Sequence, residues 1–202
     1  MAFSLFGSAV KSPEEKFWTW FEKNQNSLFN FEQERDRNFR LLAKEMKKIN
    51  SNLTFEFGPI FNNGKREFVI SAGGISEAFP KVESLFAAAP ELDKWIFIKY
   101  RPRRDLMPIE FGNEKIRPED IKCQVFEDND KIGILLFFED YCDEKLELFG
   151  HIGFLMLDQA LGEYDVATKV GFVEFAATDS EFYKYAHPIT ELRNCFDNYF
   201  GR

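Results

Sequence analysis

Arg66-Glu67-Phe68-Val69-Ile70-Ser71 is the stretch whose reading decides the fold. It follows Asn63-Gly64, the strongest short hairpin signal, and so reads as the return partner of an earlier strand. That strand is the run in which Leu53, Phe55 and Phe57 alternate with Thr54 and Glu56, the period of a half-buried β-strand. Gly73-Gly74 breaks the return strand, and Phe79, Val82, Leu85 and Phe86 then recur at helical spacing over 76–88. Pro80 falls early in this helix, where it is tolerated, and Pro90 lies past its end. The segment 95–100 is apolar on both faces and reads as a central strand.

The same order recurs downstream. Ile121, Cys123 and Val125 alternate, the polar run 127–130 turns the chain, and 132–138 is a buried strand. A buried helix follows with Leu148, Ile152, Leu155, Met156 and Gln159 in register and Gly162 as its C-cap, then a last strand over 166–175. Ile109 to Phe111 followed by Gly112-Asn113 predicts a small edge hairpin between the two halves.

At the N-terminal side, Ser12, Pro13 and Glu15 form a capping box with proline at the first helical position. Phe17, Trp20, Phe21 and Leu28 stripe the helix it starts. Asn30 with Gln33 repeats the capping pattern before a second stripe of Phe39, Leu42, Met46 and Ile49. Pro188 opens a final amphipathic helix with Ile189, Leu192, Phe196 and Tyr199 on one side. Together these predict an α+β fold, a mostly antiparallel sheet covered by helices, in which 66–175 admits a ferredoxin-like split β-α-β core. One domain over 1–202 is expected: a helical hairpin at 12–50, the core at 53–175 and a C-terminal helix at 188–200.

Composition narrows the function classes. The chain has 202 residues, 25 of them Phe, and a net charge of −8 from 26 basic and 34 acidic side chains. Such a charge opposes nucleic acid and anionic membrane as partners. Three widely spaced cysteines, Cys123, Cys142 and Cys195, form no C-x-x-C pair and read as reduced cytoplasmic thiols. Residues 1–10 are mildly apolar without a preceding basic residue, which does not fit a secretory signal.

The run Ile70-Ser-Ala-Gly-Gly-Ile-Ser-Glu-Ala-Phe-Pro80, the stretch Ala87-Ala-Ala-Pro-Glu-Leu-Asp-Lys-Trp95, Tyr100-Arg-Pro-Arg103 and Leu161-Gly-Glu163 stand at spaced positions. In this the chain resembles a family of uncharacterised bacterial proteins over about Phe17 to Phe175. The resemblance implies bacterial origin and cytosolic residence, and no mechanism.

Five groups of residues are weighed as chemistry. Asp128, Asp130, Gly133 and Glu139 match four positions of a calcium loop, but the intervening Ile-Leu-Leu-Phe-Phe must be buried in a sheet, so calcium is rejected. Glu139, Asp140, Asp143 and Glu144 offer a divalent-metal or acid/base set, against the ordinary preference of acidic groups for a helix's first turn. Gly73, Gly74 and Ser76 stand at a strand-to-helix turn whose N–H groups suit an anion, without a nucleotide fingerprint. Lys99, Arg101, Arg103 and Arg104 are the one basic cluster, suited to clamp a phosphate or carboxylate, or else to pair with nearby Asp105 or Glu110. His151 reads as a buried histidine and His187 as a helix cap. The leading expectation is a non-catalytic cytoplasmic interaction or small-anion-binding domain without cofactor, using Gly73, Gly74, Ser76, Arg101, Arg103 and Arg104, with another protein or a small anion as partner. The alternative is a small metal-dependent enzyme built on Glu139, Asp140 and Asp143.

Overall fold

The computed structural model describes residues 10–111 and 114–202. The Gly112-Asn113 turn and the reading of residues 1–9 lie outside the described residues. The chain divides into two compact units, 1–99 and 100–202, and the division falls inside the stretch 53–175 that the sequence reads as one core.

In the first unit, α1 (Pro13–Phe29) starts on the expected capping box: the Glu15 N–H donates to Ser12 Oγ, and the Ser12 N–H donates to the Glu15 carboxylate. The second cap does not form. Asn30 donates its side-chain N–H to the Asn26 carbonyl, a 3-10 turn Phe31–Glu34 intervenes, and α2 (Arg35–Lys47) begins one turn later. Strands β1 (Thr54–Ile60) and β2 (Arg66–Ser71) pair antiparallel, with Gly64 at φ 75° in the loop. After a 3-10 turn at Ser76–Ala78, α3 (Phe79–Ala87) carries the chain to β3 (Trp95–Lys99), which lies parallel to β2. The sheet order is β1-β2-β3.

The core of this unit is aromatic. The Phe21 ring is 0% exposed and sits 5.0 Å from both Phe68 and Trp95, 5.3 Å from Trp18 and 5.6 Å from Phe97. Trp18 buries its indole by donating its N–H to the Leu85 carbonyl at 2.8 Å, which satisfies the polar edge of an otherwise apolar side chain. Arg66, 4% exposed, lies over the Phe29 and Phe31 rings and donates to the Phe29 carbonyl and to Glu32. It thereby satisfies a carbonyl at the end of α1.

The second unit repeats this order with extra elements. A small hairpin, β4 (Ile109–Phe111) and β5 (Glu114–Ile116), comes first. Then β6 (Lys122–Asp128) and β7 (Lys131–Phe138) pair antiparallel around Asn129, at φ 57°. Two helices, α4 (Leu146–Leu161) and α5 (Glu163–Lys169), lead to β8 (Val170–Ala177), parallel to β7. The short strand β9 (His187–Pro188) pairs with β6, and α6 (Leu192–Phe200) closes the chain. The order is β8-β7-β6-β9. Its core gathers Ile134, Leu136 and Phe138 of β7, Phe149, Ile152 and Met156 of α4, and Leu192 and Phe196 of α6.

The fold is α+β, as expected, and each unit contains an antiparallel hairpin followed by a helical crossover to a parallel neighbour. Ferredoxin-like interleaving does not occur among the described residues. That topology needs each crossover to skip a strand, whereas here β2 to β3 and β7 to β8 join adjacent strands, and the strands lie in separate sheets. The last long strand starts at Val170 rather than 166 because Gly162, at φ 84°, ends one helix and immediately begins another. Its backbone is also tightly approached: a Cβ there would lie 3.4 Å from the Arg101 carbonyl oxygen and the Arg103 nitrogen. No helix among the described residues is long and apolar enough to cross a membrane.

Candidate functional site

The predicted site residues fall in different units: Gly73, Gly74 and Ser76 in the first, Arg101, Arg103 and Arg104 in the second. Gly73 and Gly74 have positive φ, 60° and 80°, as a tight turn requires. The N–H groups of this turn bond locally: Gly73 donates to Ser71 Oγ at 2.9 Å, and Ile75 and Ala78 donate to Ala72 and Ile75 carbonyls. The Ser76 hydroxyl donates to Glu77 at 3.4 Å.

The arginines lie along an extended segment against the α4–α5 junction, and carboxylates distant in sequence engage them. Arg101 pairs with Asp158 at 3.1 Å, and its backbone N–H donates to the Glu163 carboxylate at 2.9 Å. Asp158 and Glu163 are 6% and 0% exposed. Arg103 donates to both Asp197 oxygens at 2.7 and 2.9 Å, to Asp165 at 3.2 Å and to the Leu161 carbonyl at 2.9 Å, and its guanidinium lies 5.3 Å from the Phe196 ring centre. The Arg104 N–H donates to the Gln159 carbonyl, and Arg193 donates to the carbonyls of Ala160 and Arg104. The sequence reading proposed Asp105 or Glu110 as partners; Glu110 instead pairs with Lys115, and Arg103 reaches Asp165 and Asp197. The guanidiniums thus tie segment 101–104 to α4, α5 and α6.

Asp165 collects Arg103, Lys169 and Arg202. Burial alone would raise its carboxyl, but hydrogen bonding and attraction from Arg202 and Lys169 hold it below the usual aspartate range. A group depressed on folding stabilises fully above its unfolded pKa, about 3.9 for aspartate, and that contribution is lost as pH falls through the folded value. The expected result is a unit 100–202 that weakens below about pH 4, with Asp165→Asn showing a shallower acid slope in urea titrations. Equal slopes in the two proteins would refute the role given to Asp165.

The acidic group is exposed. Glu139 and Asp140 follow β7, and Asp143 and Glu144 sit in the 3-10 turn Asp143–Lys145 before α4. A backbone hydrogen bond is the main cause holding the Glu144 carboxyl below its usual range. Among the described residues, no three His, Cys, Asp or Glu side chains are placed to hold one metal ion.

Both histidines depart from expectation. His151 is exposed, its Nδ1 2.8 Å from the Glu147 carbonyl and its ring stacked on Phe111 at 5.1 Å. The helix buries Phe149, Ile152 and Met156 instead, which turns position 151 outward. His187 belongs to β9 opposite Cys123 and lies 3.7 Å from Glu191.

That pairing borders a feature the sequence reading missed. A cleft of about 570 Å³ is lined by Cys123, Gln124 and Val125 of β6, by residues 184–187, and by Leu192 and Cys195 of α6. Cys123 is buried, and desolvation, with smaller contributions from Cys195 and Glu191, pushes its thiol up to about 12. Such a thiol is protonated and apolar at neutral pH, not a nucleophile. Gln124 Oε1 is buried and finds no hydrogen-bond partner, an uncommon state for a buried acceptor. The only sequence signal was the alternation of Ile121, Cys123 and Val125; the cleft itself needs β6, the 3-10 turn Glu181–Tyr185 and α6 brought together. Comparison of this chain with protein-family models, with curated proteins and with solved structures finds no match.

Proposed function

We propose that this chain is a non-catalytic cytoplasmic binding domain, which holds a small ligand or a segment of another protein in the cleft between β6 and α6. The observation that carries the reading is the cleft itself, whose volume lies within the range of ligand sites, about 300–1,000 Å³, and which opens between β6, residues 184–187 and α6. Its side chains supply contact rather than chemistry: a protonated thiol at Cys123, an imidazole beside Glu191, and an ammonium, Lys184, that lies 4.8 Å from the Tyr185 ring centre. Three free cysteines support a reducing compartment. The arginine segment carries the anion-binding variant less well, because carboxylates already engage the guanidiniums of Arg101 and Arg103.

A fragment screen by protein-observed NMR tests the reading. Amide shifts confined to residues 123–125 and 184–187, abolished in Leu192→Trp, are expected. Hits that cluster elsewhere, or none at millimolar fragment, would overturn it. A melting temperature raised several degrees by millimolar magnesium, with the rise lost in Asp140→Asn/Asp143→Asn, would favour the metal-dependent enzyme instead.

A further inference from the structure

The cleft has the form of an unfilled strand position. Strand β9 pairs with β6 at Lys122 and Cys123 only, and the chain before it turns away into the 3-10 segment Glu181–Tyr185. The Ile189 N–H donates to the Ile121 carbonyl, which places the main-chain groups of residues 121, 123, 125 and 127 on the outer side of β6, away from β7. No strand pairs with Val125 or Glu127 on that side among the described residues. Cys123, Val125, Leu192 and Cys195 form an apolar wall beside this edge.

We infer that the cleft receives an extended peptide segment of a partner protein, which continues the β9 ladder along β6 from Val125 and seats one apolar side chain against Cys123, Leu192 and Cys195. The inference rests on the binding reading above and names the class of its ligand. Two observations favour a peptide over a compact small molecule. The lining residues run consecutively along two chain segments, so main chain as well as side chain borders the cleft. The edge of β6 presents donor and acceptor in alternation, the pattern that strand addition uses for affinity.

The test uses the full chain and a soluble alternating peptide, Lys-Thr-Val-Thr-Val-Thr-Lys with blocked ends, since main-chain recognition tolerates sequence. At millimolar peptide the Val125 and Glu127 amides are expected to exchange at least tenfold more slowly. An analogue N-methylated on alternate residues should give no protection, and Cys195→Phe, which fills the apolar wall, should abolish it. Peptide binding that the N-methylated analogue reproduces would overturn the strand mode. Fragments that bind the cleft while the peptide protects neither amide would overturn the peptide inference and leave the binding reading standing. Failure of both would remove both.

Discussion

Phe21→Ala lowers the unfolding free energy of the first unit by about 3–5 kcal/mol, the range for deleting a fully buried aromatic ring. The ring is 0% exposed and touches the rings of Phe17, Trp18, Phe68, Trp95 and Phe97. Its loss therefore removes edge-to-face contacts from several directions and leaves a void that neighbouring rings, fixed on α1, β2 and β3, fill poorly. Phe21→Leu keeps most of the volume and costs less, about 1–1.5 kcal/mol. The chain supplies its own separation of signals. All three tryptophans, Trp18, Trp20 and Trp95, lie within 1–99, and all six tyrosines lie within 100–202. Tryptophan emission during urea unfolding should move to a lower midpoint in Phe21→Ala. A midpoint within experimental error of the parent would show that the ring cluster does not hold this unit together.

Arg101→Ala/Arg103→Ala is expected to cost the second unit about 3–5 kcal/mol, as when one side of a buried ion pair is removed. The double change leaves Asp158, 6% exposed, and the half-buried Asp165 and Asp197 without these guanidiniums. It also removes the Arg103 bond to the Leu161 carbonyl at the end of α4. Exposed pairs would contribute only about 0–1 kcal/mol, so the magnitude discriminates between the two uses of these arginines. Tyrosine absorbance followed through urea unfolding reports the loss. A change under about 1 kcal/mol, together with stabilisation of the parent by phosphate at low salt, would restore the anion-binding rim and sink the structural assignment.

Local chemistry in the sequence determined most of the elements. The Ser12-x-x-Glu15 box, the alternation of Leu53, Phe55 and Phe57, the helical stripe of Phe79, Val82 and Leu85, and the apolar run 132–138 each act through neighbours a few residues away, and each appears where the pattern put it. Local chemistry also misled at two helix boundaries. Asn30 and Gln33 form a capping pattern, yet the Asn30 side chain finds a carbonyl of the preceding helix instead, and Gly162 marks a helix end without revealing that a second helix starts at once.

Tertiary structure alone decided the rest. Strand order depends on which crossover closes onto which edge, and the hydrophobic period is the same for β7 whether β8 lies beside it or one strand away. The arginine partners stand 57 residues from Arg101 and 94 from Arg103, separations at which charge in the sequence specifies no contact. The cleft beside β6 exists because β9 is only two residues long and the chain before it coils into a 3-10 turn. The residue pattern fixed which faces are apolar, while packing determined which edge was left open, because strand pairing is satisfied between distant segments.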